Sequence, residues 1–304
     1  MQPFRVHILG CGSALPTLRH FPSAQIVEVR EKMFLIDCGE GAQIQLRRSH
    51  IHFSRVLCVF ITHLHGDHCF GLLGLINTLG MLGRTMPLHV YAPVEMENIF
   101  HAQLEVFCRK PGYDIVYHGV DTTVSKIIYE THSMAVSTVP LDHRVPCCGY
   151  LFSEKPLLPH VRRDMTDFYG IPVSQLGNIR NGADWVTPDG ETIPNAVLTR
   201  PADKPRSYAY ISDTKYMPEL HKTLQGVDLL YHEATYCDDN EEKAAMFHHS
   251  TARQAAMVAK AANAGRLVIG HYSSRYGDES LFLRQAREVF PDTFLADEMM
   301  KFDV

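Results

Sequence analysis

The chain has 304 residues, 45% of them hydrophobic and 21% charged, which is ordinary for a folded globular protein and enough to bury a sizeable core. A formal net charge of −5 excludes a general polycation, so any nucleic-acid surface has to be local. No apolar run approaches the roughly 20 residues of a membrane span, and the start MQPFRVHILGCG has no long apolar h-region of a signal peptide.

The eight cysteines (11, 38, 58, 69, 108, 147, 148 and 237) form no CxxC, and several lie in apolar runs or beside other motifs. That is the pattern of reduced, buried thiols, and it predicts a cytoplasmic protein without a disulfide framework. Cys69 is read as a packed small residue. Histidine is the outlier, 18 residues against the roughly seven of ordinary usage.

The opening segment predicts a strand that ends in a Gly turn. Residues 55–61 (RVLCVFI) predict a buried strand, and it runs into Thr62-His63-Leu64-His65-Gly66-Asp67-His68, four metal-ligand side chains in six positions. Imidazole and carboxylate suit Zn²⁺ and similar divalent ions. With no Cys pair, the cluster reads as an open, catalytic site rather than a closed structural one. A helix is expected over 71–82.

The same design recurs further along. Residues 135–141 lead to Asp142 and His143, Ser207–Ile211 to Asp213, 227–231 to His232 and Glu233, and 266–269 to His271. Ligands in layered α/β structures gather at the carboxyl ends of strands, so five strands deliver polar ends to one cleft. Between them, 251–262 predicts a helix opened by a Thr251/Gln254 capping box and stopped by Gly265. A last helix is expected over 280–289.

Residues 152–206 break this rhythm with seven prolines, a short possible helix at 161–169, and a hairpin through Pro188-Asp189-Gly190. The span reads as an insertion in a single domain, 1–304, without a core of its own. It carries as many acidic as basic residues, seven of each, with Arg162 and Arg163 adjacent.

Seven candidate ligands, His63, His65, Asp67, His68, His143, Asp213 and His271, are too many for one tetrahedral ion. They suit two ions, and Asp213, the isolated carboxylate, is the natural bridge. Such a pair activates water and stabilises the attacking and leaving oxygens of an in-line displacement, with Asp67 able to accept the water's proton.

The HxHxDH pattern with separate His, Asp and His resembles the metallo-β-lactamase-fold hydrolases, and within them the ribonuclease Z family in its short form. Supporting the narrower resemblance are Asp37-Cys38-Gly39-Glu40-Gly41-Ala42-Gln43, His232-Glu233-Ala234-Thr235, His249-Ser250-Thr251, and His271-Tyr272-Ser273-Ser274-Arg275-Tyr276. The resemblance implies a four-layer αββα sandwich of the α/β class with a protruding arm-like insertion, the arm lying within 152–206. It implies a zinc-dependent endoribonuclease, with two Zn²⁺ per chain or Mn²⁺ in their place, that removes 3′ trailers from precursor tRNA as a homodimer. No nucleotide cofactor is expected.

The resemblance also implies that His63, His65 and His143 hold one ion, and that Asp67, His68 and His271 hold the other, with Asp213 shared. His249 donates a proton to, or stabilises, the leaving 3′ oxygen, and Glu233 orients it. Residue 249 also precedes a helix N-terminus, where a phosphate meets free N–H groups, Ser250 and Thr251. Arg275 is either a phosphate fork or a structural ion pair. Asp37 either supports a ligating His or is a turn residue. His248 is expected to be inert.

The family's basic PxKxRN-like loop is replaced here by Pro16-Thr17-Leu18-Arg19-His20-Phe21-Pro22, where Arg19 or His20 could substitute. The competing reading is another dinuclear hydrolase of this fold acting on small phosphodiesters, aryl sulfates or thioesters. A di-iron oxidoreductase wants a Glu among the clustered ligands, and a non-catalytic RNA-binding module has no need of the complete ligand set.

Overall fold

The structure is a computed structural model that describes residues 2–304. Two seven-stranded sheets dominate it. The first runs Lys301–Asp303, Phe4–Gly10, Ala24–Val29, Lys32–Ile36, Val56–Phe60, Leu88–Pro93, Ile115–Val120. Its early strands pair antiparallel and its last four pair parallel. The second runs Thr293–Leu295, Arg266–Gly270, Leu229–Glu233, Ser207–Ile211, Cys148–Glu154, Met134–Pro140, Ile127–Glu130, and its first four strands are parallel.

The sheets are glued face to face by aromatic side chains. Phe34 and Phe60 of the first sheet meet Phe152 of the second at ring-centroid distances of 5.8 and 5.7 Å, and Phe60 meets Tyr150 at 5.3 Å. Each such ring buries on the order of 150–250 Å², so this layer supplies much of the apolar burial. Helices cover the outer faces. Leu72–Met81 buries Leu72, Leu75, Ile76 and Leu79 into the cluster that holds Val59, Ile61 and Val90. Ala252–Ala261 buries an alanine face against Leu229–Glu233 and Arg266–Gly270. The expected four-layer αββα sandwich of the metallo-β-lactamase fold is what the chain forms.

The strand endings follow the predicted design with small shifts. The strand expected over 227–231 starts at Leu229 instead. The Asp228 side chain accepts from the Ser207 N–H and hydroxyl at 2.9 and 3.1 Å, while its carbonyl accepts from the Arg266 N–H at 3.1 Å, so it pins the strand entry. The Thr251/Gln254 capping box is present as expected, over a helix of ten residues. Gly39 and Gly71 allow the metal-ligand loop to lie close to its support. A Cβ at Gly39 would sit 2.4 Å from the Asp67 carbonyl, and one at Gly71 would sit 2.2 Å from the Gly39 carbonyl.

Ser153–Pro205 together with Glu130–Ala135 makes a separate compact unit. Here the expectation of a coreless insertion gives way. Ile171, Ile179, Ile193 and Leu198 are buried together, with Met165, Tyr169 and Trp185 packed against them. These apolar residues come from short helices, strands and the turns between them with no shared period, which hid them in the sequence. The expected helix is Arg163–Phe168, and the hairpin pairs Trp185–Val186 with Thr192–Ile193, with Gly190 at φ 85°.

Candidate metal centre

The structure brings all seven predicted ligands together in two groups around Asp213. Asp67 Oδ2, His68 Nε2, His271 Nε2 and Asp213 Oδ1 form one. Within it His68 Nε2 lies 3.4 Å from Asp67 Oδ2 and 3.5 Å from Asp213 Oδ1, and His271 Nε2 lies 3.5 and 3.3 Å from the same two oxygens. These atoms are too far apart to hydrogen-bond well, yet they lie at about the 3.4 Å edge of a tetrahedron with ~2.1 Å bonds to its centre. All four are buried without a hydrogen-bond partner. Buried polar atoms are nearly always paired, so four orphans converging on one point mark a cation position.

The second group is His63, His65, His143 and Asp213. His65 Nδ1 stands 3.0 Å from His63 Nε2 and 3.2 Å from His143 Nε2. Asp213 Oδ2 is 3.7 Å from His63 Nε2 and 3.8 Å from His143 Nε2. One carboxylate thus presents one oxygen to each group, as the bridging role requires. The donor set, nitrogen and carboxylate oxygen only, fits divalent ions of the zinc type.

Four of the histidines, His63, His68, His143 and His271, each have a hydrogen-bond partner behind the ring. Asp37, completely buried, accepts from His68 Nδ1 at 2.7 Å and from the Thr62 N–H at 2.9 Å. This leaves His68 Nε2 facing the centre, so Asp37 supports a candidate ligand rather than only shaping a turn. It does so at φ 55°, and His271 sits at φ 65°. Two non-glycine residues in left-handed backbone cost on the order of 1–3 kcal/mol each, which the surrounding hydrogen bonds offset. His143 Nδ1 donates to the His248 carbonyl at 2.9 Å. The His248 ring itself pairs with Asp142 outside the metal groups, so this residue acts through its backbone.

Charge follows the same plan. Burial works against a charged His68, but Asp213, Asp37 and Asp67 hold its pKa well above the ordinary value. Burial, joined by the neighbouring histidines, pushes His63 down. Burial also raises the cost of a charged Asp213 and Asp67, yet the surrounding imidazoles keep both far below the usual carboxylate range.

Glu233 is buried at the end of its strand, and five donors converge on it. Oε1 accepts from His249 Nδ1 at 3.0 Å, Ser250 N at 3.0 Å and Thr214 N at 3.1 Å; Oε2 accepts from Thr235 N at 2.9 Å and Thr235 Oγ1 at 2.8 Å. The His249 ring stacks on His271 at 5.5 Å and borders the cleft. Burial opposes its charge, but Glu233 lifts its pKa to about 9.

Two expected substrate contacts are corrected. The Ser250 hydroxyl is buried and donates to the Thr214 carbonyl at 2.8 Å, and the Thr251 hydroxyl accepts from the Gln254 N–H as a helix cap. Both side chains are occupied inside the protein. Arg275 is exposed on the cleft wall. Arg144, which the sequence pattern did not single out, is exposed at the junction of two adjoining hollows of about 350 and 290 Å³ that share His65 and Asp67. Its only sequence signal was adjacency to His143.

The loop at 16–22 does not place a substitute cation in the site. Arg19 pairs with Glu279, and His20 lies between Glu279 and Glu298, its Nδ1 2.8 Å from Glu298 Oε2. Cys11, His20 and Glu298 stand close enough to hold an ion. Their polar atoms bond to one another instead of standing orphaned, so this group is a tether. Cys69 is the packed residue expected, its thiol on the His65 carbonyl.

The chain is similar to several known proteins. A family model described as "Anti-Pycsar protein Apyc1" matches residues 4–157, and one described as "Beta-lactamase superfamily domain" matches 191–272. A ribonuclease Z of Bacteroides fragilis is 54% identical over 298 residues, covering 98% of both chains. That of Bacteroides thetaiotaomicron is 55% identical over 300 residues, covering 99% of this chain and 95% of that one. The crystal structure of human tRNase Z, short form, superposes with a TM-score of 0.70 at 25% identity over 98% of each chain. The metallo-β-lactamase fold protein YhfI of Bacillus subtilis matches at TM-score 0.69 and 17% identity over the whole of both chains, a likeness of fold. The Apyc1 match stops half-way along the chain, whereas more than half of all residues are shared with ribonuclease Z from end to end: the chain belongs to the ribonuclease Z family of the metallo-β-lactamase fold.

Proposed function

We propose that this chain is a metal-dependent endoribonuclease that removes 3′ trailers from precursor tRNA, leaving a 3′-hydroxyl on the tRNA and a 5′-phosphate on the trailer. The observation that carries this reading is the set of four orphaned buried atoms around Asp213, beside a His249–Glu233 pair, in a ribonuclease Z chain. His63, His65 and His143 would hold one Zn²⁺ and Asp67, His68 and His271 the other, with Asp213 between them; Mn²⁺ suits the same donors. Bound ions supply Lewis acidity at the scissile phosphate and make water a nucleophile at neutral pH.

The chain's own groups do the rest. Asp67, at the cleft floor, takes the attacking water's proton. His249 delivers a proton to O3′ as the P–O3′ bond breaks, and Glu233 keeps its ring aimed and charged until then. Arg144 and Arg275 on the cleft walls hold flanking phosphates.

The 152–206 segment would carry the arm that grips tRNA. Arg162, Arg163 and Arg200 border one hollow of about 580 Å³ there, a local basic face within a neutral span. A cytoplasmic homodimer is the working form. All eight cysteines are free thiols, as a reducing compartment requires. Among the described residues no helix is long and apolar enough to cross a membrane. Phe70, Ile99, Val106 and Phe107 are exposed apolar side chains that a second copy would cover.

The test is cleavage of a precursor tRNA bearing a short 3′ trailer, with Zn²⁺ or Mn²⁺ added and Asp67→Ala as control. A single cut beside the discriminator base, lost in the control, supports the reading. Turnover of a small aryl phosphodiester without any cut of the RNA would move the substrate to the small-molecule alternative.

A further inference from the structure

Thr235 is buried, yet its hydroxyl stands at the meeting point of three functional side chains. Oγ1 lies 2.8 Å from Glu233 Oε2, 2.8 Å from His271 Nδ1 and 3.1 Å from His249 Nδ1. A hydroxyl has one proton to give and two lone pairs, which settles the directions. The buried Glu233 carboxylate only accepts, so the hydroxyl donates to it. Both remaining partners then donate to Thr235 through N–H groups.

We infer that the Thr235 hydroxyl is a positioning group that ties the metal ligand His271 and the proton donor His249 to one carboxylate. Accepting from His271 Nδ1–H leaves Nε2 of that ring as the free lone pair, and Nε2 is the atom orphaned among the ligand oxygens. Accepting from His249 Nδ1–H, a proton shared with Glu233 Oε1, turns the opposite nitrogen of that ring to the cleft. The two rings stack at 5.5 Å, so one hydroxyl sets their mutual orientation. Partners of this kind behind metal ligands typically change metal affinity or activity by about 10–100-fold when removed. In this role Thr235 acts through the two histidines, its own hydroxyl being taken up by Glu233.

The proposal rests on the metal-centre reading above, and its test separates the two. Thr235→Val keeps the shape and removes only the hydroxyl; Thr235→Ser keeps the hydroxyl and removes the methyl. Zinc affinity is measured by competition with a chromophoric chelator, and kcat and KM are measured on precursor tRNA and on bis(4-nitrophenyl) phosphate, whose leaving group needs no proton. The expected result for Thr235→Val is zinc affinity lowered about 10-fold or more, kcat on RNA lowered further than kcat on the aryl ester, and KM within about 2-fold. Thr235→Ser should return all three close to the parent. Unchanged zinc affinity in Thr235→Val would overturn the proposal, as would a Thr235→Ser variant as impaired as Thr235→Val. If the parent binds zinc but leaves precursor tRNA uncut, the substrate reading fails while the affinity comparison still decides the role of Thr235.

Discussion

His249 Nδ1 lies 3.0 Å from Glu233 Oε1, and that carboxylate is fully buried. The pair works as a unit. Burial alone would discharge His249, and the carboxylate overrides it to hold the imidazolium up to about 9. In the role proposed for His249 the acid form is the active one, so kcat on precursor tRNA should fall as pH rises through that value. Glu233→Gln keeps the hydrogen-bond acceptor and removes the charge, leaving burial to dominate. Its alkaline limb should move to lower pH. His249→Ala should lower kcat by about 10²–10⁴-fold with metal content intact. A pH-rate comparison together with metal analysis checks both, and metal loss in His249→Ala would make that residue a ligand instead.

Asp213 divides its two oxygens between the histidine groups, 3.3 Å from His271 on one side and 3.7 Å from His63 on the other. Asp213→Ala should therefore weaken both positions at once. Metal content by elemental analysis should fall from about two ions per chain to about one or fewer, and affinity by more than the ~10–100-fold seen for outer partners. An unchanged count would remove Asp213 from the bridge.

Much of this centre was legible because its chemistry sits at strand ends. The strand before Thr62 and the strands leading to His143, Asp213, Glu233 and His271 each announced a polar residue after an apolar run. Topology then brought the five together. What spacing could not encode is how each ligand is held. Asp37 reaches His68 across 31 positions, and the His248 carbonyl reaches His143 across 105. Ser250 and Thr251 had the right chemistry for phosphate, but whether a hydroxyl faces a cleft or a carbonyl depends on which loop lies behind it. The Thr214 carbonyl lies behind Ser250. Thr235 sat in a recognised tetrapeptide, and only its three-dimensional neighbours give it a role.

Arg144 and Arg275 are exposed on the cleft walls, and Asp142, two positions before Arg144, is engaged by Lys215 and His248. A guanidinium there costs little to pair with a phosphate. Arg144→Met and Arg275→Met should each raise KM for precursor tRNA several-fold with kcat nearly kept. Each should also flatten the salt dependence of log(kcat/KM) by about 0.7–0.9 for every phosphate the variant no longer neutralises. An unaltered salt slope in both would take these residues out of RNA binding.

His20 tests electrostatics away from the metal groups. Its ring is buried between Glu298, 2.8 Å from Nδ1, and Glu279, 3.2 Å from Nε2. Burial favours the neutral ring, but the two carboxylates prevail and raise its pKa above the ordinary 6.5. A folded-state pKa above the unfolded one means that protonation stabilises the fold. That contribution is complete below about pH 6.5 and is lost as pH climbs through the raised value. His20→Gln retains hydrogen bonding but cannot charge, and it leaves the buried Glu279 and the partly buried Glu298 without the cation between them. Its melting temperature should therefore fall below the parent's most at pH 6 and approach it at alkaline pH. Thermal melts of both chains across that range decide the matter. A gap that is the same at every pH would mean that His20 stabilises by packing against Tyr272, 5.6 Å away, and not by its charge.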